Sequence, residues 1–142
     1  MISSIKQEFE DRNKDLSEQD RSKLKTDVLR RLINKLEKEK NSEIEQDLEQ
    51  LIQDMPYSSE NHSKRKEFRK SLRGIQKKVE KAFGYVDKGK LRGRYVGSWL
   101  AIGVAIGAGM GNPGAGIGIG IAVGAGMGAV HEKKAEKQGL SY

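Results

Sequence analysis

Residues 95–130 read YVGSWLAIGVAIGAGMGNPGAGIGIGIAVGAGMGAV and hold no charged side chain. Twelve of the seventeen glycines of the chain lie in this stretch. Seven of them recur at spacings of four on the two sides of a break, namely Gly103, Gly107, Gly111, Gly116, Gly120, Gly124 and Gly128. A long apolar run with repeated small residues is typical of helices that pack closely in a lipid bilayer. We therefore predict membrane helices for these residues.

The sequence Gly-Asn-Pro-Gly at residues 111–114 divides the stretch in two, because proline interrupts a helix and all three residue types favour turns. A helical hairpin is therefore predicted. Each half has about sixteen apolar residues, which give about 24 Å of helix against a hydrocarbon core of about 30 Å. Glycine and alanine also contribute little apolar surface. We expect insertion to depend on the flanking residues or on assembly.

Helical periodicity separates large from small residues in both halves of the stretch. The first half has a bulky face, predicted to meet lipid, formed by Tyr95, Trp99, Ile102, Ile106 and Met110. Its small face, predicted to pack against a neighbour, contains Gly97, Ala101, Ala105 and Ala108. The second half has a glycine stripe at 116, 120, 124 and 128 and a separate stripe at Ala122, Ala125 and Ala129. Two small faces permit two different neighbours, as a head-to-tail ring requires.

Two other interpretations fit parts of the stretch. Residues 116–121 alternate Gly and Ile, a period of two that suits a β-strand. Residues 109–114 match the Gly-x-Gly-x-x-Gly pattern of dinucleotide-binding loops, and Glu132 follows eighteen residues later. That motif needs a preceding strand, whereas the period of four predicts a helix at this point. We favour the helical hairpin over both.

The net charge of +7 is concentrated just before the predicted hairpin. Residues 58–94 carry 13 basic and 4 acidic side chains, whereas residues 1–57 carry 11 and 14 and residues 95–142 carry 3 and 2. Basic residues flank the apolar run on both sides and its turn has none, so the positive-inside rule places both termini in the cytoplasm. The first residues lack the apolar segment of a signal peptide. We expect cytoplasmic synthesis and residence in the inner membrane, with a soluble form before activation also open.

Residues 1–86 are predicted to form a cytoplasmic bundle of amphipathic helices. Residues 1–15 suit either a short helix or a frayed terminus. Ser17 and Asp20 resemble a capping box that begins a helix over residues 18–40.

The rest of the predicted bundle has two more helices. The first begins after Asn41 and Ser42 and ends at Pro56, and the other has apolar residues at helical spacing from 68 to 86. Residues 87–94 are predicted to be a hinge rich in glycine and basic residues, and residues 131–142 a polar tail.

The remaining faces of the third predicted helix are strongly basic. A solvated face, a contact with anionic lipid headgroups and nucleic-acid binding are all compatible with this charge. No nucleic-acid recognition motif is present, and the basic run leads directly into the apolar stretch, which favours lipid over nucleic acid. The residues assigned to the membrane surface are Lys64, Arg65, Arg69, Arg73, Lys77, Lys88, Lys90, Arg92 and Arg94. Tyr95 and Trp99 are predicted to be interfacial anchors, with simple packing as the alternative.

The sequence offers little for catalysis or metal binding. It has no cysteine, and its two histidines, His62 and His131, lack the spacing of a metal site or of a nucleophile and its base. We expect a protein that is not an enzyme and needs no cofactor or metal. His131 lies at the end of the apolar run, so a pH effect on insertion is open.

Residues 97–128, with Gly103-x3-Gly107-x3-Gly111 and Gly116-x3-Gly120-x3-Gly124-x3-Gly128 around the turn, resemble the glycine-zipper hairpins of small bacterial membrane proteins. The order of cytoplasmic helices followed by a hairpin also resembles pore-forming effectors of bacterial antiphage defence and, more distantly, phage holins. The resemblance implies that residues 1–86 sense an infection signal, such as a protein trigger, and that the hairpin permeabilises the inner membrane.

These observations together predict an all-α protein with an N-terminal amphipathic bundle and a glycine-rich transmembrane helical hairpin. The leading hypothesis for its function is an oligomeric pore, with residues 1–86 controlling assembly. A structural or adaptor protein that the hairpin anchors to the inner membrane is the first alternative. A soluble nucleic-acid-binding or scaffold protein is the second.

Overall fold

The computed structural model describes residues 2–142, and within them it is all-helical, which confirms the all-α part of the predicted fold class. The seven helices are α1 (Ile2–Lys14), α2 (Glu18–Leu24), α3 (Thr26–Leu36), α4 (Ser42–Gln53), α5 (His62–Phe83), α6 (Lys88–Gly109) and α7 (Pro113–Lys137). Residues 116–121 lie inside α7, so the strand interpretation of the alternating Gly and Ile residues is wrong. Residues 109–114 form the end of a helix, a turn and the start of a helix, which is not the setting of a dinucleotide loop.

The chain divides into two compact units. The first contains the residues up to Gly84 together with Tyr142, and the second is Tyr85–Ser141. In the first unit α1 packs on α3 and α4, α2 packs on α3 and α5, and α4 packs on α5. The most deeply buried apolar side chains of this unit are Phe9, Leu24, Leu29, Leu32, Ile33, Leu36, Leu48, Ile52 and Val79. Burial of such side chains is the main force that holds a helical bundle together.

The helix predicted over residues 18–40 is interrupted at Lys25, which has φ 60° and ψ 41°, in the left-handed region. Apolar residues spaced by four drift about 40° around a helix at each step, so one straight helix would spread them over a wide arc. The interruption allows both Leu24 and Leu32 to be fully buried. Burial of these two side chains in the core therefore compensates for the left-handed conformation of lysine, which costs about 1–2 kcal/mol.

Asparagine side chains cap the N-termini of α4 and α5 in the first unit. The Asn41 side chain accepts a hydrogen bond from the Ile44 amide at 3.1 Å, and Asn61 accepts one from the Lys64 amide at 3.0 Å. Each bond satisfies an amide that the helix itself leaves unpaired. The helix α5 then ends at Gly84, whose φ of 72° suits the left-handed cap that glycine adopts without strain.

The stability of the first unit is expected to depend on the ionisation of Asp20. Hydrogen bonds from the Ser17 hydroxyl at 2.7 Å and the Ser59 amide at 2.8 Å lower the pKa of Asp20 to about 2, below its ordinary value of 3.8. Because the folded pKa is the lower one, the ionised carboxylate stabilises the fold above about pH 4. This stabilisation is lost as the pH falls from about 4 to about 2.

Urea unfolding of the full chain, followed by circular dichroism at several pH values, measures this dependence. The urea concentration at the midpoint of the transition is expected to decrease as the pH is lowered from about 4 to about 2. Asp20→Asn should make that decrease smaller. A control is Asp15→Asn, which removes an exposed carboxylate with no hydrogen bond to a described residue. An unchanged acid dependence in Asp20→Asn would show that the Ser17 and Ser59 bonds do not stabilise the fold.

The second unit consists of α6 and α7, which run antiparallel and contact each other along their length. The helix α6 begins at Lys88, so most of residues 87–94, predicted as a hinge, is helical. The helix α7 extends to Lys137, so the predicted polar tail is also helical in its first part. Beyond α7, the Val86 amide donates a hydrogen bond to the Leu140 carbonyl at 2.8 Å, which ties the two ends of this unit together.

Candidate functional site

The contact between α6 and α7 is made by glycine. The only buried residues of these two helices are Gly103 and Gly107 in α6 and Gly116, Gly120, Gly124 and Gly128 in α7. We call these six residues the glycine seam. The first unit buries leucine and isoleucine, whereas the α6/α7 pair buries the backbone of residues that have no side chain. The hydrophobic effect therefore contributes little to this contact.

The two backbones approach too closely for any side chain in the seam. A Cβ atom placed on Gly120 would lie 2.5 Å from the carbonyl oxygen of Trp99, and one on Gly124 would lie 2.7 Å from the Cα of Val96. A Cβ on Gly107 would lie 2.8 Å from the Cα of Gly116, and one on Gly116 would overlap the carbonyl oxygen of Gly103. Neither helix can carry even alanine at these positions without moving apart.

The small face that the sequence indicates in the first half is not the contact face. Gly97, Ala101, Ala105 and Ala108 are exposed, and nothing lies within 4 Å of a Cβ placed on Gly97. The helix instead presents Gly103 and Gly107, because only glycine allows the backbone of α7 to come this close. In α7 the predicted glycine stripe does meet the other helix, while Ala122 is exposed and Ala125 and Ala129 are half-buried.

The large apolar side chains of the α6/α7 pair point outward. Ten of the eleven exposed large apolar side chains in the described part of the chain belong to this segment. The most exposed are Met110 at 78%, Val130 at 63%, Ile119 at 61% and Ile106 at 55%. A soluble monomer seldom leaves so much contiguous apolar surface in water. The arrangement is the inverse of the first unit, with backbone inside and side chains outside.

The turn between α6 and α7 is short and well defined. Gly111 has φ 71°, a left-handed conformation that glycine adopts freely, and its neighbour Asn112 accepts a hydrogen bond from the Ala115 amide at 3.1 Å. Pro113 occupies the first turn of α7, where its missing amide is not needed. Gly111, which the sequence groups with the packing glycines, thus serves the turn and has nothing within 4 Å of a Cβ placed on it.

An ion pair, a ring stack and a close backbone contact connect the charged ends of the two helices. The Lys88 amine pairs with the Glu136 carboxylate at 2.7 Å. The rings of Tyr95 and His131 stack with their centroids 4.5 Å apart and their planes 8° from parallel. Arg92 lies over Gly128, whose Cβ would be 2.8 Å from the Arg92 Cα. These contacts extend the α6/α7 interaction beyond the uncharged stretch.

Helix lengths differ from the sequence estimate for each half. Because both helices continue into charged residues, the 22 residues of α6 and the 25 of α7 span about 33 Å and about 37 Å. In length and composition, α7 is the one described helix that can span a bilayer. The first turns of α6 carry Lys88, Lys90, Arg92 and Arg94, which leaves its apolar part shorter.

The basic residues assigned to the membrane surface lie in different settings. In α5, Arg65 bonds to the Ser59 carbonyl at 3.3 Å and contacts His62 at 2.8 Å, and the Arg69 Nε is buried without a hydrogen-bond partner. Lys64, Arg73 and Lys77 are exposed. In α6, Lys88 is the partner of Glu136 and Arg92 covers Gly128. Tyr95 and Trp99 are half-buried, with the Tyr95 carbonyl and the Trp99 Cβ next to Gly124 and the Trp99 carbonyl next to Gly120, a position that fits packing as well as an interfacial anchor.

The basic faces of the predicted third helix also include Lys66, Lys70 and Lys81, which were not assigned to the membrane surface and which the structure leaves exposed. They lie on the side of α5 opposite its buried stripe, a direction that charge counting alone does not give. No group of three metal-ligating side chains exists among residues 2–142. No protein-family model, curated protein or solved structure matches the chain. The function proposed below is therefore inferred from the geometry of the α6/α7 pair.

Proposed function

We propose that this chain is a membrane protein that inserts α6 and α7 as a hairpin and assembles into a pore. The observation that carries the proposal is the glycine seam with large apolar side chains outside it. In water, this arrangement exposes apolar surface and gains little from its own contact. In hydrocarbon, the outward side chains are well solvated, and close backbone packing is what holds helices together.

The charge distribution supports an orientation for the hairpin. Basic residues lie at the start of α6 and at Lys133, Lys134 and Lys137 of α7, whereas the turn at residues 111–114 has no charge. Such a turn costs little to translocate, and the positive-inside rule keeps both termini in the cytoplasm. Arg92 and Arg94 have long side chains that reach the interface from within a helix end. The proposed location is therefore the inner membrane.

The structure changes the role proposed for the seam glycines in assembly. The six residues are occupied by the contact within one chain, so they determine the shape of the hairpin. Contacts between copies then use the outward line opposite the seam in α7, which contains Gly114, Gly118, Ala122 and Gly126. A head-to-tail ring needs two different contact faces on each subunit, and this line is proposed as one of them. The resemblance to antiphage effectors adds the proposal that residues 1–86 bind a protein trigger that releases assembly.

One observation favours the alternative of a simple membrane anchor. A single helix of about 20 apolar residues is sufficient for anchoring, and α7 alone meets that requirement. A simple anchor does not need α6 and α7 to pack closely along the glycine seam. This close packing is why we prefer the pore.

Induced expression with a membrane-potential dye tests the proposal in cells. The full chain should depolarise the membrane, whereas a chain truncated after Lys90 should not, because it lacks the hairpin. If the full chain is found in the membrane fraction but the membrane stays polarised, the pore is excluded and the membrane-anchor interpretation remains. A full chain found only in the soluble fraction would contradict spontaneous insertion and favour the nucleic-acid-binding or scaffold alternative.

A further inference from the structure

We propose that α5 carries a second membrane contact, which binds the anionic headgroups of a lipid bilayer independently of the hairpin. The surface consists of five side chains that we call the cationic line, namely Lys66, Lys70, Arg73, Lys77 and Lys81. This inference rests on the proposed function, because that function is what places the chain at a bilayer. It assigns the first unit a position on the lipid surface that the hairpin does not determine.

The five residues are aligned along one side of α5. Their spacings of four, three, four and four place them within an arc of about 80° around the helix. That arc lies opposite the buried stripe, which contains Phe68, Leu72, Ile75 and Val79. The line runs about 22 Å along the helix axis, so all five charges can touch one flat surface together.

The charges of the cationic line are not neutralised within the protein. All five side chains are exposed, and none forms a hydrogen bond or ion pair with any residue from 2 to 142. The next lysine, Lys78, behaves differently because it pairs with Glu43 at 2.8 Å and Asp47 at 2.6 Å. Its pKa is raised by those two carboxylates, of which Asp47 has the larger effect. The cationic line, unlike Lys78, is therefore available to an external anion.

Chain connectivity favours a bilayer over a nucleic acid as the partner. Residues 84–87 are all that separates α5 from α6, and this connection reaches at most about 18 Å. An inserted hairpin thus keeps the end of α5 close to the headgroups. The arc of the cationic line also has no aromatic side chain to stack on bases and no Asn or Gln to read them. Nucleic-acid binding is the competing outcome of the test below.

The test uses single cysteines, because the chain has none of its own. A fluorophore is attached at Gly74→Cys, beside the cationic line where nothing lies within 4 Å of a Cβ, or at Ser22→Cys in α2. Vesicles contain phosphatidylcholine and phosphatidylglycerol in equal parts and a headgroup-labelled nitroxide lipid. The fluorophore at 74 should be quenched at low salt, whereas the one at 22 should not. High salt or pure phosphatidylcholine should reduce the quenching several-fold, because both weaken attraction between surface charges.

Two matched variants separate the cationic line from general charge. One replaces its five residues with Gln, and the control replaces Lys14, Lys23, Lys25, Lys38 and Lys40 with Gln, an equal change in net charge at exposed sites outside α5. Circular dichroism verifies that both retain their helices. Quenching at 74 should be lost in the first variant and kept in the control. Equal quenching in both would overturn the proposal.

Flotation in high salt reports on the hairpin separately, because salt does not weaken hydrophobic insertion. A chain that floats in high salt but shows no quenching at 74 in low salt would overturn the cationic line and leave the proposed function intact. A chain that fails to float in high salt but shows salt-sensitive quenching would support the line and refute the hairpin. Retention of a short DNA duplex that the vesicles cannot displace, lost in the five-residue variant, would replace lipid with nucleic acid.

Discussion

Gly116→Leu is expected to separate α6 from α7, whereas Gly118→Leu, two residues later in the same helix, is expected to leave them together. A side chain at 116 meets the backbone of Gly103 and Gly107, while nothing lies within 4 Å of a Cβ at 118. Backbone cannot move aside as a flexible side chain does, so the overlap should cost about 3 kcal/mol. Both substitutions make α7 equally more apolar, so the comparison isolates the seam.

Pulsed electron paramagnetic resonance measures this separation directly. Spin labels on cysteines introduced at Gly89 and Lys134 report the distance between the charged ends of the two helices, and no native cysteine competes. The parent chain and Gly118→Leu should give one short, narrow distance distribution, and Gly116→Leu a longer and broader one. A narrow short distribution in Gly116→Leu would show that the glycines do not determine the packing.

Gly120→Leu and Gly124→Leu are expected to abolish permeabilisation without preventing membrane binding. A leucine at either position collides with the backbone near Trp99 and Val96, and so separates the two helices of the proposed pore unit. Leucine also makes the segment more apolar, so insertion should persist or improve. At about 1.4 kcal/mol per factor of ten, a cost of about 3 kcal/mol should lower dye release by roughly a hundredfold.

Flotation and dye release on the same liposome samples distinguish the two possible roles of the hairpin. A simple anchor releases no dye in any variant, whereas undiminished release with retained binding in both leucine variants would show that the seam has no part in permeabilisation. Gly118→Leu is informative in the opposite direction. If it keeps the short spin-label distance but loses release, the outward line of α7 is the contact between copies.

Local sequence signals were sufficient for much of this architecture. The turn at residues 111–114 follows from Gly, Asn and Pro, and the glycine spacing of four in α7 identifies the residues that meet α6. The first unit follows from its apolar stripes. Each of these features depends on residues that are close in sequence, whose relation is set by helix geometry alone.

The features that the sequence did not predict depend on residues far apart in the chain. Glycines at 89 and 93 suggest a break, since each costs a helix about 1 kcal/mol relative to alanine. The helix nevertheless includes them, and Lys88 and Arg92 contact Glu136 and Gly128 of α7. The interruption at Lys25 likewise serves a core to which distant helices contribute. The sequence assigned both Gly103 and Gly107 and the alanine face to packing, and the close approach of α7 selects the two glycines.

Release of a small dye from phosphatidylcholine and phosphatidylglycerol vesicles by the full chain measures whether this chain permeabilises membranes. Flotation of the same sample identifies the vesicles that carry protein. The full chain is expected to float with the vesicles and empty them, whereas a chain truncated after Lys90 should release no dye. Vesicles that carry the full chain but retain their dye would refute the proposed pore.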